Sequence, residues 1–150
     1  MSRSPFRRPF QFVVALLLAL LFACPVPLHA ANLKMESKLI WGSNEPSKDH
    51  KAVDPVLAEK LQSYFKWKHY YVMNTVVADV PSRETRKLKM SEPCTVEITE
   101  LEGPKIEVKV IGKGIPVNKT VKQIVKGEFI VIGGDAENKC AWFVVLTQLE

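Results

Sequence analysis

A chain of 150 residues with 21 Lys and Arg against 16 Asp and Glu is long enough for one domain and too short for two beside a leader. Its formal charge of +5 overstates its basic character. Arg3, Arg7 and Arg8 lie in an opening segment without Asp or Glu, and the remainder carries 18 cations against 16 anions, a net of +2. Arg83 and Arg86 are its two arginines, which excludes the Arg-rich surplus of a nucleic-acid reader.

The opening segment reads as an export signal. Arg3, Arg7 and Arg8 form a cationic head, Phe12 to Ala23 is uninterrupted and apolar, and Pro25 and Pro27 break any helix before the small residues Ala30 and Ala31. That order is the signature of a secretory signal peptide. The run falls short of the roughly 20 residues that span a bilayer. Residues 1–31 are therefore expected to be a signal and 32–150 a single exported β-rich domain, periplasmic or extracellular. Cleavage after Ala30 or Ala31 is one route. A second is suggested by Leu21-Phe22-Ala23-Cys24, which resembles the lipobox of bacterial lipoproteins. That resemblance implies lipidation of Cys24 and a membrane-anchored protein, although Phe22 is bulkier than the usual occupant and Pro25 follows at once.

Leu39-Ile40-Trp41 predicts a first strand ended by Gly42-Ser43-Asn44, and Glu45 to Ala52 a polar loop. Asp54-Pro55 is a helix start, because Asp caps free backbone N–H groups and Pro is tolerated at the first helical position. Leu57, Leu61, Tyr64 and Phe65 then share one helical face, and the helix is expected to end near Phe65 or Lys66. From Trp67 the period changes from 3.6 to 2. Trp67 to Val80 is rich in aromatic and β-branched residues and stops at Pro81-Ser82. Arg86 to Met90, Cys94 to Leu101 and Lys105 to Ile111 alternate, the last two forming a hairpin through Glu102-Gly103-Pro104. Gly112-Lys113-Gly114 turns the chain into Ile115 to Val125, and Lys126-Gly127 into Glu128 to Ile132. Gly133 to Lys139 reads as a loop before Ala141 to Thr147, apolar on both faces and so a central strand. The fold class expected is mainly β with one short helix: an antiparallel sandwich or partly open barrel of about seven strands, the helix on an edge or end. An α+β arrangement is the alternative.

Cys94 and Cys140 remain beyond the leader, and in an oxidising compartment an even pair predicts a disulfide. Closing a loop of roughly 46 residues would stabilise the fold by about 4 kcal/mol. The most distinctive patch is Lys66-Trp67-Lys68-His69-Tyr70-Tyr71. Trp67, His69 and Tyr71 would share one face, with Lys66 and Lys68 beside them. Aromatics among lysines suit stacking on sugar rings or an acidic partner. Alternatively they plug the core where helix meets strand. His50 beside Asp49 reads as a loop residue. Gly133 to Asn138 carries oxygen ligands suited to calcium, but its spacing is not that of an EF-hand. Neither cysteine has a local nucleophile signature, and no cofactor or metal motif stands out. The functional expectation is a non-catalytic binding or accessory protein of the cell envelope. It would contact another protein or an envelope polymer, not nucleic acid. A carrier of a lipid or other apolar ligand, or an enzyme-inhibitor subunit, are the alternatives.

Overall fold

Strict apolar alternation along most of the chain is satisfied by stacking sheets face to face. The computed structural model describes residues 32–136 and 140–149. The leader with Cys24, and Glu137, Asn138 and Lys139 of the polar loop, lie outside the described residues. Among those described, the elements in chain order are β1 (Leu33–Ser43), β2 (Lys51–Ala52), α1 (Pro55–Tyr64), β3 (His69–Val80), β4 (Thr85–Lys89), β5 (Cys94–Glu100), β6 (Lys105–Gly112), β7 (Ile115–Gln123), β8 (Phe129–Ala136) and β9 (Cys140–Gln148). They form a five-stranded sheet, order β2-β3-β1-β9-β8, and a four-stranded sheet, order β4-β5-β6-β7. Every pairing is antiparallel. The expected mainly β sandwich with one short helix is therefore what forms, and it does not close into a barrel.

β9 sits between β1 and β8, which explains why both its faces are apolar. Val144 and Leu146 turn toward the second sheet and meet Met35, Leu88, Val96, Ile98, Ile106 and Val108 in the sandwich core. Phe143 and Val145 turn the other way, toward Leu57 and Leu61 of α1, with Ile40, Trp67 and Tyr70. The helix thus lies on the outer face of the five-stranded sheet rather than on an edge or end. The described residues form three layers and two cores. Asp54 caps α1 as expected, its carboxylate accepting from the Leu57 N–H at 3.0 Å. Tyr64, expected on the docking face, is 73 % exposed. Phe65 takes its place: its extended backbone ends the helix and brings its ring to 4.6 Å from that of Phe143.

Two local irregularities set the faces of the five-stranded sheet. Along β1 and β3, Leu39 pairs with Asn74 but Ile40 with Val72, so Met73 is an extra residue on β3. Such a bulge exchanges which residues point to which side. It sends Tyr70 into the helix-side core and leaves Tyr71 opposite Trp41. The second lies in β8, where Gly133 to Ala136 form strand and not the expected loop. Glycine is depleted in strands, so the sequence reads as a turn there. Its bare backbone is what the packing uses. A Cβ on Gly133 would come within 2.6 Å of Phe143 Cδ1, and one on Gly134 within 2.5 Å of Trp142 Cζ2.

The expected disulfide is corrected: Cys94 and Cys140 are not joined. Cys94 opens β5 in the four-stranded sheet and Cys140 opens β9 in the five-stranded one. Packed sheets stand about 10 Å apart, whereas a bridge wants Cα atoms within about 7 Å. On the outer face of the four-stranded sheet, Glu97 lies between Lys87 at 2.8 Å and Lys109 at 3.5 Å, and Glu107 meets Lys119 at 3.2 Å. The hydrogen bond from Lys87, helped by the charge of Lys109, holds the Glu97 carboxyl below the usual carboxylate range. Alternating Lys and Glu are thus a solvated strand face, where each pair contributes at most about 1 kcal/mol.

Candidate functional site

The two sheets do not end together. The four-stranded sheet stops at Cys94 and Gly112, which are register partners, while β1 and β9 of the five-stranded sheet run on to the pair Trp41 and Trp142 and then Ser43 and Cys140. Residues directly opposite in an antiparallel pair share a face. Trp142 precedes Val144 and Leu146 by twos, so both tryptophans face the side of the sandwich core, at its open end. Each borders a hollow.

The first hollow, about 510 Å³, opens between the sheets and is walled by Leu39, Pro93, Cys94, Val110, Val117 and Trp142, with Lys113 at the hairpin between β6 and β7. That size lies within the range of ligand pockets. Lys113 has a left-handed backbone, φ 51°, and its N–H donates to the Pro93 carbonyl at 2.6 Å. This bond ties the hairpin to the turn between β4 and β5. Val117 on the same hairpin lines the hollow and is 52 % exposed, which extends the apolar wall outward. Burial pushes the Cys94 thiol above its ordinary range. At neutral pH it stays protonated, an apolar part of the wall and not an activated nucleophile.

The second hollow lies beside Trp41, between Ser43, Cys140 and the segment 44–50. That segment is clipped down. The Ser47 N–H donates to the Tyr71 hydroxyl at 2.6 Å, and Ser47 Oγ and His50 Nδ1 are 2.8 Å apart. The His50 ring meets Trp41 edge-on at 5.4 Å and Tyr71 at 6.1 Å. His50 is therefore part of an aromatic cluster rather than a solvated loop residue. Among the described residues, no three of His, Cys, Asp and Glu converge as metal ligands would.

The residues singled out in the sequence are placed as follows. Trp67 is buried against the helix side, its Cγ only 3.1 Å from where a Gly42 Cβ would stand. The Lys66 ammonium lies 5.3 Å from the centre of the Trp67 ring. Tyr71 is buried on the opposite face with Trp41, and His69 stacks on it at 6.3 Å. Lys68 is exposed, and its carbonyl accepts from the Gln62 amide at 3.1 Å. The structure thus brings together Lys66 with Trp67 and His69 with Tyr71, but Trp67 and Tyr71 lie on opposite faces. The five do not form one surface. Trp41, Trp142, Val117 and Lys113 read in the sequence as strand and turn residues and do not stand out as site residues. Alternation along Ala141 to Thr147 places Trp142 with Val144 and Leu146, but its partner Trp41 lies about a hundred residues away and only the pairing reveals it. Neither a family model, nor a curated protein, nor a solved structure matches this chain.

Proposed function

We propose that this chain is an exported, non-catalytic binding protein of the cell envelope, and that its ligand site is the hollow between the sheets at the open end of the sandwich. The observation that carries the reading is the wall itself. Leu39, Val110, Val117 and Trp142, from four different strands, face one space with a neutral thiol, one serine and a single lysine. Ligand pockets are concave and mostly apolar, with few polar groups to fix orientation. Between the carrier of an apolar ligand and a module that contacts a protein or polymer, this composition favours the carrier. The cationic head, apolar run and small-residue exit of the leader support export, with a mature chain that begins near Asn32 or at an acylated Cys24.

Native mass spectrometry of the protein recovered from its own envelope tests both parts. The expected result is a truncated chain with a small apolar molecule bound in one-to-one ratio. A bare chain that still begins at Met1, and takes up no apolar molecule on incubation, would overturn the reading.

A further inference from the structure

Resting on the apolar-cleft reading above, we propose that the ligand is a free single-chain amphiphile with an anionic head, such as a medium-chain carboxylate. Its tail lies between Leu39, Val110, Val117 and Trp142, and its head meets the ammonium of Lys113.

Charge and shape select this class. Lys113 is the charged residue among those that line the cleft. Glu92, next in sequence to the lining residues Ser91 and Pro93, is engaged by Lys89 at 2.7 Å, and burial pushes the Cys94 thiol up, away from its anionic form. A cationic head would therefore find a like charge at the rim, whereas a carboxylate finds its complement. The hairpin that carries Lys113 is fixed to Pro93 by the 2.6 Å backbone bond, so the backbone from which the ammonium extends is held at the mouth. Behind it the walls offer a tail apolar surface, including the Trp142 indole and the half-exposed Val117 of the hairpin. A flat aromatic ligand would use the indole but leave the aliphatic walls idle. A bulky sugar would put most of its hydroxyls against Leu39, Val110 and Val117, with Ser91 and Lys113 as the hydroxyl and ammonium side chains of the lining. A flexible tail fits both constraints.

The test is a titration of the mature domain, followed by tryptophan fluorescence, with carboxylates from hexanoate to tetradecanoate kept below micelle-forming concentrations. The same tails on trimethylammonium heads, and vesicles of phosphatidylglycerol, serve as parallel arms. Each methylene buried is worth about fourfold in affinity. We expect that increment per carbon until the tail fills the cleft, with trimethylammonium compounds binding more weakly. Lys113→Gln should cost about two- to fivefold for carboxylates, as for an exposed ion pair, and nothing for the cationic series. Val117→Glu, at a half-exposed site that leaves melting unchanged, should abolish the chain-length dependence. Equal or tighter binding of the cationic amphiphiles would overturn the head-group assignment while leaving the cleft intact. Binding to vesicles without binding to monomeric carboxylates would overturn the free ligand. Absence of any binding, with Val117→Glu indistinguishable from the parent, would overturn the cleft itself.

Discussion

Replacing Phe143 with alanine is expected to cost about 3–5 kcal/mol, a large part of the 5–15 kcal/mol that holds a typical domain folded. Phe143 is 2 % exposed and lies at the centre of the helix-side core, with the rings of Phe65 and Tyr70 at 4.6 and 5.8 Å. Removing it detaches α1 from the sheet it covers. A melting temperature lower by about 10–20 °C would report this. The seat of the ring is made by two glycines on the neighbouring strands. A Cβ on Gly42 would stand 2.9 Å from Phe143 Cε2, and one on Gly133 2.6 Å from Cδ1. Gly133→Ala alone should therefore destabilise by about 1–3 kcal/mol through overpacking. In the Phe143→Ala background the same change should cost little, because the new methyl then enters the space the ring has left. Strong non-additivity in that cycle is the signature of direct contact. Additive costs would mean that Gly133 is required for another reason.

Trp67→Ala is the second large effect, again about 3–5 kcal/mol. Trp67 is only 7 % exposed and shares the helix-side core with Leu57, Leu61 and Tyr70. Lys66→Ala should cost no more than the about 0.5–1 kcal/mol of an exposed cation–π contact, and Lys68→Ala should stay within about 0.5 kcal/mol. Thermal melting of the three variants separates a structural aromatic from a surface one. Unchanged melting of Trp67→Ala would return the Lys66 to Tyr71 run to the status of a contact surface.

Much of this fold is legible in the residues. The alternation of Cys94 to Leu101 and Lys105 to Ile111, the turn at Gly103-Pro104 and the Asp54 cap are local rules, and local rules are obeyed here. What escaped depends on contacts distant in sequence. Gly133-Gly134 reads as a turn because glycine has no side chain to pack, yet it continues a strand because two large rings of β9 need its bare backbone. The bulge at Met73 is silent in the sequence, since it shifts pairing without changing composition. Cys94 and Cys140 make an even pair on any count, but parity says nothing about which sheet each one joins. The candidate cleft escaped for the same reason. Its walls come from β1, β5, β6, β7 and β9, and each contributes one or two residues that are unremarkable alone. The Trp67 to Tyr71 cluster drew attention through density of aromatics, which is as much a mark of core as of surface.

The most direct test of the account is to map, by amide and indole chemical shifts in the ¹⁵N-labelled mature domain, where an apolar anion such as decanoate binds. Saturable shifts are expected at Leu39, Cys94, Val110, Lys113, Val117 and the indole of Trp142, with the helix side around Leu61 and Trp67 unmoved. Shifts centred on the Lys66 to Tyr71 run, or a spectrum that decanoate leaves unchanged, would contradict it.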